Sequence, residues 1–348
     1  MADIPPFMHL LHTPLILAPM AGVGTTELAL AAARGEALPF LAGGYRRPEE
    51  FIDQITAFND ASPDGRFGVN LFVPPPADAL VATATIEDYR RLIQPEADRF
   101  ELDLAAATDL DAIRIDDWFT DKIDYLLAEP VPAVSFTFGL PERAVLDAIR
   151  SRGTVLIATV TNPAEAIQAC EAEVDLLCVQ AASAGGHRGT FGNYAGSTLP
   201  LTQLLRAVAD VASVPMIAAG GISGPADVAA ALTAGALAVQ AGTAFLAADE
   251  SGAPAAHKAA LTAAGARTEI TRVFTGRAAR GIANRFMASF SDAVPAAYPQ
   301  VHAVTSPLRK AAAAAGDTSV MAMWAGTGHQ RASTGSAEQI ATDLLRAL

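Results

Sequence analysis

Short apolar runs alternate along this chain with alanine-rich stretches whose apolar positions recur at helical spacing, the pattern of repeated βα units feeding a parallel sheet. Eight runs have the length and apolar character of strands buried on both faces: Leu15–Ala18, Pro39–Ala42, Phe67–Leu71, Ala133–Phe136, Val155–Thr159, Leu176–Val179, Pro215–Ala219 and Ala238–Ala241. Helical spacing falls between them at Thr25–Ala33, Glu49–Phe58, Pro141–Arg150, Ala164–Ala172, Leu201–Val211 and Pro225–Ala234. Eight such units closing on themselves make a (β/α)8 TIM barrel, and the alternative is an open doubly wound sheet. Nearly every run ends in small, glycine or polar residues, among them Gly43-Gly44, Asn70, Gln180, Gly220-Gly221 and Gly242-Thr243. A barrel gathers all its C-terminal strand ends at one mouth, whereas an open sheet gathers only those near its switch point. So many specialised ends therefore predict the barrel.

Two segments fall outside the repeat. Residues 74–129, between the third and fourth strands, exceed one crossover and read as several helices, Ile86–Gln94 and Thr120–Ala128 among them. After the eighth strand, residues 246–316 are helical at His257–Ala264, strand-like at Glu269–Thr275 and helical again at Leu308–Ala315. The expected organisation is a barrel of residues 1–245 and 318–348, with a smaller, mostly helical α+β domain of residues 246–317 covering the active site. Glu338–Leu348 then returns as the closing barrel helix.

Composition narrows the function. The 348 residues are 51% hydrophobic, yet no apolar run reaches the ~20 residues that a membrane-spanning helix needs. Acid rather than base near the start argues against a secretory leader, and a cytoplasmic location is expected. The formal net charge is −13, and lysine occurs only at 122, 258 and 310. Without a basic stripe, nucleic acid is not an expected partner, and any anionic ligand must be held by backbone N–H groups or single arginines. Cys170 and Cys178 lack a CxxC spacing and read as reduced core residues, and no histidine–carboxylate spacing predicts a metal site.

The candidate chemistry lies at the strand ends. Leu176–Val179 runs through Gln180 into Gly185-Gly186-His187-Arg188-Gly189, which places a histidine, able to move protons near neutrality, between glycines that clear space around it. Arg188 reads equally as an anion contact or as a salt-bridged neighbour. The loops after strands seven and eight, with Gly220 and Gly221 in one and Gln240, Ala241, Gly242 and Thr243 in the other, fit the place where barrels bind phosphate. Across the mouth lie Ala18, Pro19, Met20, Ala21 and Gly22, with Asn70 and Gln180 offering amides that suit a flat heterocycle of alternating N–H and C=O edges. An isoalloxazine is such a ring. One phosphate site, without the GxGxxG of a dinucleotide, points to FMN.

Together, Ala18–Gly22, Gly68–Phe72, the Gln180–Gly189 stretch, Ala219–Ile222, Gly242–Phe245, Gly281–Phe286 and Trp324–Gly326 resemble the nitronate monooxygenases, most closely their bacterial class I. The resemblance covers nearly the whole chain and implies an FMN-dependent barrel enzyme that oxidises alkyl nitronates with O2, without a metal. Nitrite and a carbonyl compound are released, and propionate 3-nitronate is the substrate associated with the class. By position, Asn70, Gln180, Gly185, Gly220 and the 240–243 loop would bind FMN, and His187 would be the active-site histidine. Where the family commonly has Gly-Xxx-Glu after the strand-six glutamine, this chain has Ala181-Ala182-Ser183.

A nitronate is already an electron-rich anion and can pass a single electron to oxidised flavin. His187 would then orient the nitro oxygens or, if protonated, offset their charge; toward a neutral nitroalkane it would act as a base. The other histidines read as structural or exposed. The rival reading is an FMN-dependent enoyl-acyl-carrier-protein reductase using NAD(P)H, and the chain's acidity counts against docking an acidic carrier. The expected partners are a small-molecule nitronate and O2, with a homodimer left open.

Overall fold

The computed structural model describes residues 6–62 and 65–348. Eight parallel strands close into a barrel in the order β1 (Leu15–Leu17), β2 (Leu38–Ala42), β3 (Gly68–Phe72), β4 (Ala133–Thr137), β5 (Val155–Val160), β6 (Leu176–Gln180), β8 (Met216–Ala219) and β9 (Ala238–Ala241). Pairing of Leu15 with Val239 and Ile16 with Leu38 joins β1 to both neighbours and seals the ring. All eight expected strands form, each within two residues of its predicted bounds. The two-residue β7 (Gly186–His187) leaves the barrel and joins β10 (Thr268–Thr271) and β11 (Ala279–Ile282) in a separate antiparallel sheet, in the order β10-β11-β7.

Strand alternation divides the core in two. Leu15, Leu17, Val69, Leu71, Val134, Phe136, Leu156, Leu177 and Val239 point outward into the layer shared with the helices. Ile16, Leu38, Phe40, Ile157, Leu176, Cys178 and Ile217 point inward and fill the barrel, whose floor Phe7 plugs. With both faces buried, the strands read as continuous apolar runs. Gly68 belongs to this packing, since a Cβ there would lie 2.3 Å from the Phe40 ring. Higher up, the inward positions turn polar: Asn70, Ser135, Thr137, Thr159, Gln180 and Gln240. This change of layer makes the floor of a site. The helix Ala337–Leu344 completes the outer ring beside the helix Thr26–Arg34. A Cβ on Gly35 would strike Glu338 O at 2.6 Å, and Arg34 pairs with Glu338 at 3.1 Å.

The two segments outside the repeat pack on each other. A second apolar cluster combines Ile86, Tyr89 and Ile93 of the helix Thr83–Asp98 with Val273, Phe286, Val301, Val304 and Leu308. Residues 246–317 therefore share their core with the insertion that follows β3. Tyr89 donates to Val273 O at 2.8 Å, and Glu96 pairs with Arg285 at 2.5 Å and Arg99 at 2.9 Å. The expected helix at Leu308–Ala315 begins eight residues earlier, at Gln300, with Pro307 inside it. In sequence a proline signals a boundary, because it removes an N–H and crowds the preceding turn; packing of Val301 and Val304 into the second cluster carries this helix through it. Of the short strands expected within Glu269–Thr275, β10 forms over Thr268–Thr271, and the residues after it turn toward β11.

Lys122, 1% exposed, fastens the insertion to the barrel. Its ammonium donates to Gly43 O at 2.8 Å and pairs with Asp117 at 2.9 Å. Removing one member of a buried pair strands the other charge. Lys122→Met is expected to lower unfolding stability by about 3 kcal/mol in urea denaturation, and a loss within 0.5 kcal/mol, as for an ordinary surface change, would contradict this role.

Candidate active site

The barrel mouth opens into one cavity reached by the ends of β1, β3, β4, β5, β6, β8 and β9. Of the residues read from sequence, Ala18, Pro19, Met20, Ala21, Asn70, Gln180, Gly185, Gly186, His187, Gly220, Gly221, Gln240, Gly242 and Thr243 line it. Ala241 does not, because alternation turns its side chain outward into the helical layer, where it is 1% exposed. Gly22 is not in the wall either; it makes the turn after β1 with φ +86°.

The polar floor is tied together before any ligand is considered. Asn70 Nδ2 donates to Ser135 Oγ and Thr137 Oγ1, both at 2.9 Å, so its amide oxygen is the atom left for the cavity. The Thr137 and Thr159 hydroxyls meet at 3.2 Å. Gln180 differs from its expected role, since its amide pins the histidine loop. Nε2 donates to His187 O at 3.0 Å, while Oε1 accepts from Gly189 N at 2.9 Å and from Arg188.

Arg188 is a structural residue, not an anion contact. It is fully buried, and its guanidinium donates to the carbonyls of Ala181 (2.6 Å), Ala195 (3.1 Å) and Ser197 (3.2 Å). Burial lowers its pKa to about 10, so it stays charged at neutral pH. The Ala181-Ala182-Ser183 departure fits this scheme. Its three carbonyls accept in turn from Arg188, from Arg280 Nε at 2.6 Å and from Thr327 N at 3.0 Å. Gly185 gives clearance to the chain itself rather than to a ligand, since a Cβ would lie 2.6 Å from the backbone of Ala325 and Gly326.

His187 sits among Phe138 (ring centroids 5.7 Å apart), Tyr298 (5.8 Å) and Trp324 (5.6 Å). Its Nε2 lies 3.0 Å from Thr275 Oγ1. The Thr275 hydroxyl is also 3.2 Å from Arg277 O; when it donates there, Nε2 carries the imidazole proton and Nδ1 the lone pair, and when it donates to Nε2 the two roles exchange. Burial, with the charges of Arg277 and Arg309 nearby, holds the pKa of His187 down at about 3. At neutral pH the imidazole is therefore uncharged, and it does not offset a substrate's charge as a cation. Arg277, stacked 3.9 Å over the Phe138 ring and donating to Thr190 O, supplies positive charge near the site instead. Thr275 and Arg277 were not legible as site residues, because β7 and β11 join only in the folded sheet. Ser135, Thr137 and Thr159 did carry a signal, as polar residues at alternate positions of apolar strands.

The cavity's chemistry fits a phosphorylated planar cofactor. Gly220 and Gly221 adopt φ +106° and +79°, a left-handed turn that favours glycine. Among the described residues, the N–H groups of Gly220, Gly221, Gly242 and Thr243 have no hydrogen-bond partner. The buried Ser223 Oγ beside them is likewise unpartnered. Thr243 Oγ1 accepts from Gly326 N at 2.9 Å, which leaves its own proton to donate. This set of donors suits a phosphate. His257 lines the same cavity, and its buried Nε2 has no partner among the described residues; sequence reading placed this group among the structural or exposed histidines.

A closed parallel barrel with an anion cradle, a polar floor and a neutral histidine at its mouth defines a cofactor-dependent barrel enzyme. The chain belongs to the nitronate monooxygenase family, whose model matches residues 6–347. It is thereby a flavin-dependent oxidoreductase. Proteins described as "Probable nitronate monooxygenase" include one from Staphylococcus saprophyticus, 35% identical over 90% of this chain and 88% of its own length, and one from Staphylococcus aureus strain Newman, 33% identical over 95% and 93%. The solved structure of nitroalkane oxidase from Streptomyces ansochromogenes superposes with a TM-score of 0.91 at 42% identity, covering 98% of both chains. FabK from Thermotoga maritima, at 22% identity and a TM-score of 0.73, covers 99% of this chain and 96% of its own and shares the fold.

The histidines make stability depend on pH. Burial lowers the pKa of His257 to about 4, and that of His302 falls well below its ordinary value through burial and Arg309. Above about pH 6.5 these groups are neutral whether folded or unfolded and contribute nothing. As pH falls below that point the unfolded chain takes up protons that the fold refuses, so stability drops, down toward the folded values. For His257, 4% exposed, the loss at pH 5.5 is about 1.4 kcal/mol. Urea denaturation at pH 7.5 and 5.5 is expected to show a pH-dependent loss smaller by about that amount in His257→Asn; identical losses in the two proteins would contradict it.

Proposed function

We propose that this protein is an FMN-dependent nitronate monooxygenase that uses O2 to convert alkyl nitronates, propionate 3-nitronate among them, into a carbonyl compound and nitrite. The observation that carries the reading is the neutral, Thr275-tethered His187 lining one cavity with the unpartnered donors of Gly220, Gly221, Gly242, Thr243 and Ser223. Those donors would hold the single phosphate of FMN, and the amide oxygen of Asn70 would meet the ring system. Bound there, FMN supplies acceptance of a single electron from the substrate.

The protein's own residues would do the rest. A nitronate needs no proton removed, which matches a histidine whose pKa is about 3 and which is therefore a weak base. His187, held among the rings of Phe138, Tyr298 and Trp324, orients the substrate in the cavity that it and Trp324 line. Arg277 and Arg309, neither of which lines the cavity, favour an anion there through their field. The same weak basicity predicts poor turnover of neutral nitroalkanes, whose carbon-bound proton must be abstracted first.

Oxygen uptake by the FMN-loaded protein at pH 7.5 tests this. Ethyl nitronate is expected to be consumed at least 100-fold more efficiently than nitroethane, and His187→Ala is expected to lower kcat/KM for the nitronate about 100-fold with FMN still bound. Unchanged kinetics in the variant would place the chemistry elsewhere. Oxidation of NADH with an enoyl thioester, and no reaction with any nitronate, would select the reductase instead.

A further inference from the structure

We infer that Tyr45 sets the substrate specificity of the nitronate site: its hydroxyl receives the polar end of a short substrate, and its ring bars alkyl chains from a second chamber behind it. The inference rests on the nitronate reading above and names the residue that decides which nitronates fit.

Tyr45 is shared by two cavities. Its ring lies 6.3 Å from His187 in the first, and together with Phe72 it also lines a second cavity of about 200 Å³. That chamber is walled mostly by apolar groups, Val73, Ile113, Ile115, Trp118 and Pro299, with Arg114 and Asp117 paired to other residues at its wall, a surface suited to a hydrocarbon chain. The side chains of Tyr45 and Phe72 stand between the two spaces. The ring is fixed from several sides. It stacks on His302 at 4.0 Å with the planes 9° apart, and meets Phe72 edge-on at 5.4 Å.

The backbone is held just as firmly. Tyr45 has φ +64°, a left-handed angle that a bulky residue adopts only under constraint. The constraint is visible: its N–H donates to Asp117 Oδ1 at 2.9 Å, and Asp117 is paired with the buried Lys122 that also holds Gly43 O. A left-handed residue clamped by a buried ion pair, with its ring stacked in place, is a positioned partition rather than a loose side chain.

The chemistry of the partition has a direction. The Tyr45 hydroxyl is buried; the neighbouring Tyr298 hydroxyl acts on it as a donor, and among the described residues the Tyr45 proton itself has no acceptor. An unmatched buried donor is costly and calls for an acceptor. Arg309 and Arg277 act on this tyrosine as positive neighbours and Asp117, itself paired with Lys122, as a negative one, so the balance of charge favours an anionic acceptor, such as the carboxylate at the far end of a short nitronate. A chain of the same length ending in methyl groups leaves the hydroxyl unmatched. A longer alkyl chain collides with the ring.

Two variants of the FMN-loaded full-length protein separate these parts. Tyr45→Phe is expected to lower the ratio of kcat/KM for propionate 3-nitronate over propyl nitronate about tenfold. Tyr45→Ala joins the chambers and is expected to raise the ratio for hexyl nitronate over ethyl nitronate at least tenfold. Adding Ala303→Trp, which fills the second chamber from its Ala303 side, is expected to abolish that gain. Both ratios staying within twofold of the wild type would overturn the inference. Equilibrium binding of nitroethane and 1-nitrohexane, followed by tryptophan fluorescence, reads the same wall without turnover: Tyr45→Ala should tighten nitrohexane at least tenfold relative to nitroethane, and an unchanged ratio would also overturn it. Absence of nitronate turnover in the wild type, with the binding shift intact, would sink the functional reading and leave the partition standing.

Discussion

Closure of the eight strands is the constraint on which the rest depends. A closed parallel barrel buries both faces of every strand, so each strand must offer apolar groups to the helices outside and a filled layer inside. The lower inward layer, with Phe40 lying over Gly68 and Phe7 beneath, meets that demand with hydrocarbon. The upper inward layer is polar, and its groups can be buried only because they satisfy one another: Asn70 through Ser135 and Thr137, Thr137 through Thr159, and Gln180 through the His187 loop. The site is thus the top layer of the barrel's own packing, held rigid by the same hydrogen bonds that permit its burial.

An acidic protein here keeps several of its cations inside. Arg188 and Arg277 are buried and donate to backbone carbonyls, and Lys122 is buried against Asp117 and Gly43. Their first task is structural, since each caps carbonyls that glycine-rich loops leave without strand or helix partners. Their second effect is electrostatic. Burial, with Arg277 and Arg309 nearby, keeps His187 neutral, and the two arginines make the region around it favourable to anions, as the proposed positioning of a charged substrate by an uncharged imidazole requires. The Asp117–Lys122 pair has a comparable double consequence, joining the insertion to the barrel and holding Tyr45 in its left-handed turn.

Much of this was legible beforehand, for identifiable reasons. The strands could be read because two-sided burial writes continuous apolar runs, and the site loops because positive φ and close approach select glycine, as at Gly220 and Gly221. The helix Gln300–Ala315 was half hidden by Pro307, whose local rule was overridden by packing. Arg188 and Arg277 illustrate the limit more sharply. Arg188 stands beside the histidine in sequence yet turns to the carbonyls of Ala181, Ala195 and Ser197, whereas Arg277, ninety residues beyond His187, comes to the site because β11 pairs with β7.

What the sequence determined by itself was therefore the barrel, its mouth, the nitronate monooxygenase family and the place of His187, because these rest on local periodicity, on glycine's backbone freedom and on contiguous motifs. What only the tertiary structure decided was the direction in which each polar group spends its hydrogen bonds. Gln180 pins a loop, Ala241 turns outward, Gly185 makes room for the chain's own residues 325 and 326, and Tyr45 becomes a wall between two chambers. A side chain's partner is set by what the fold brings within about 3 Å, and those partners come from segments that no local pattern links.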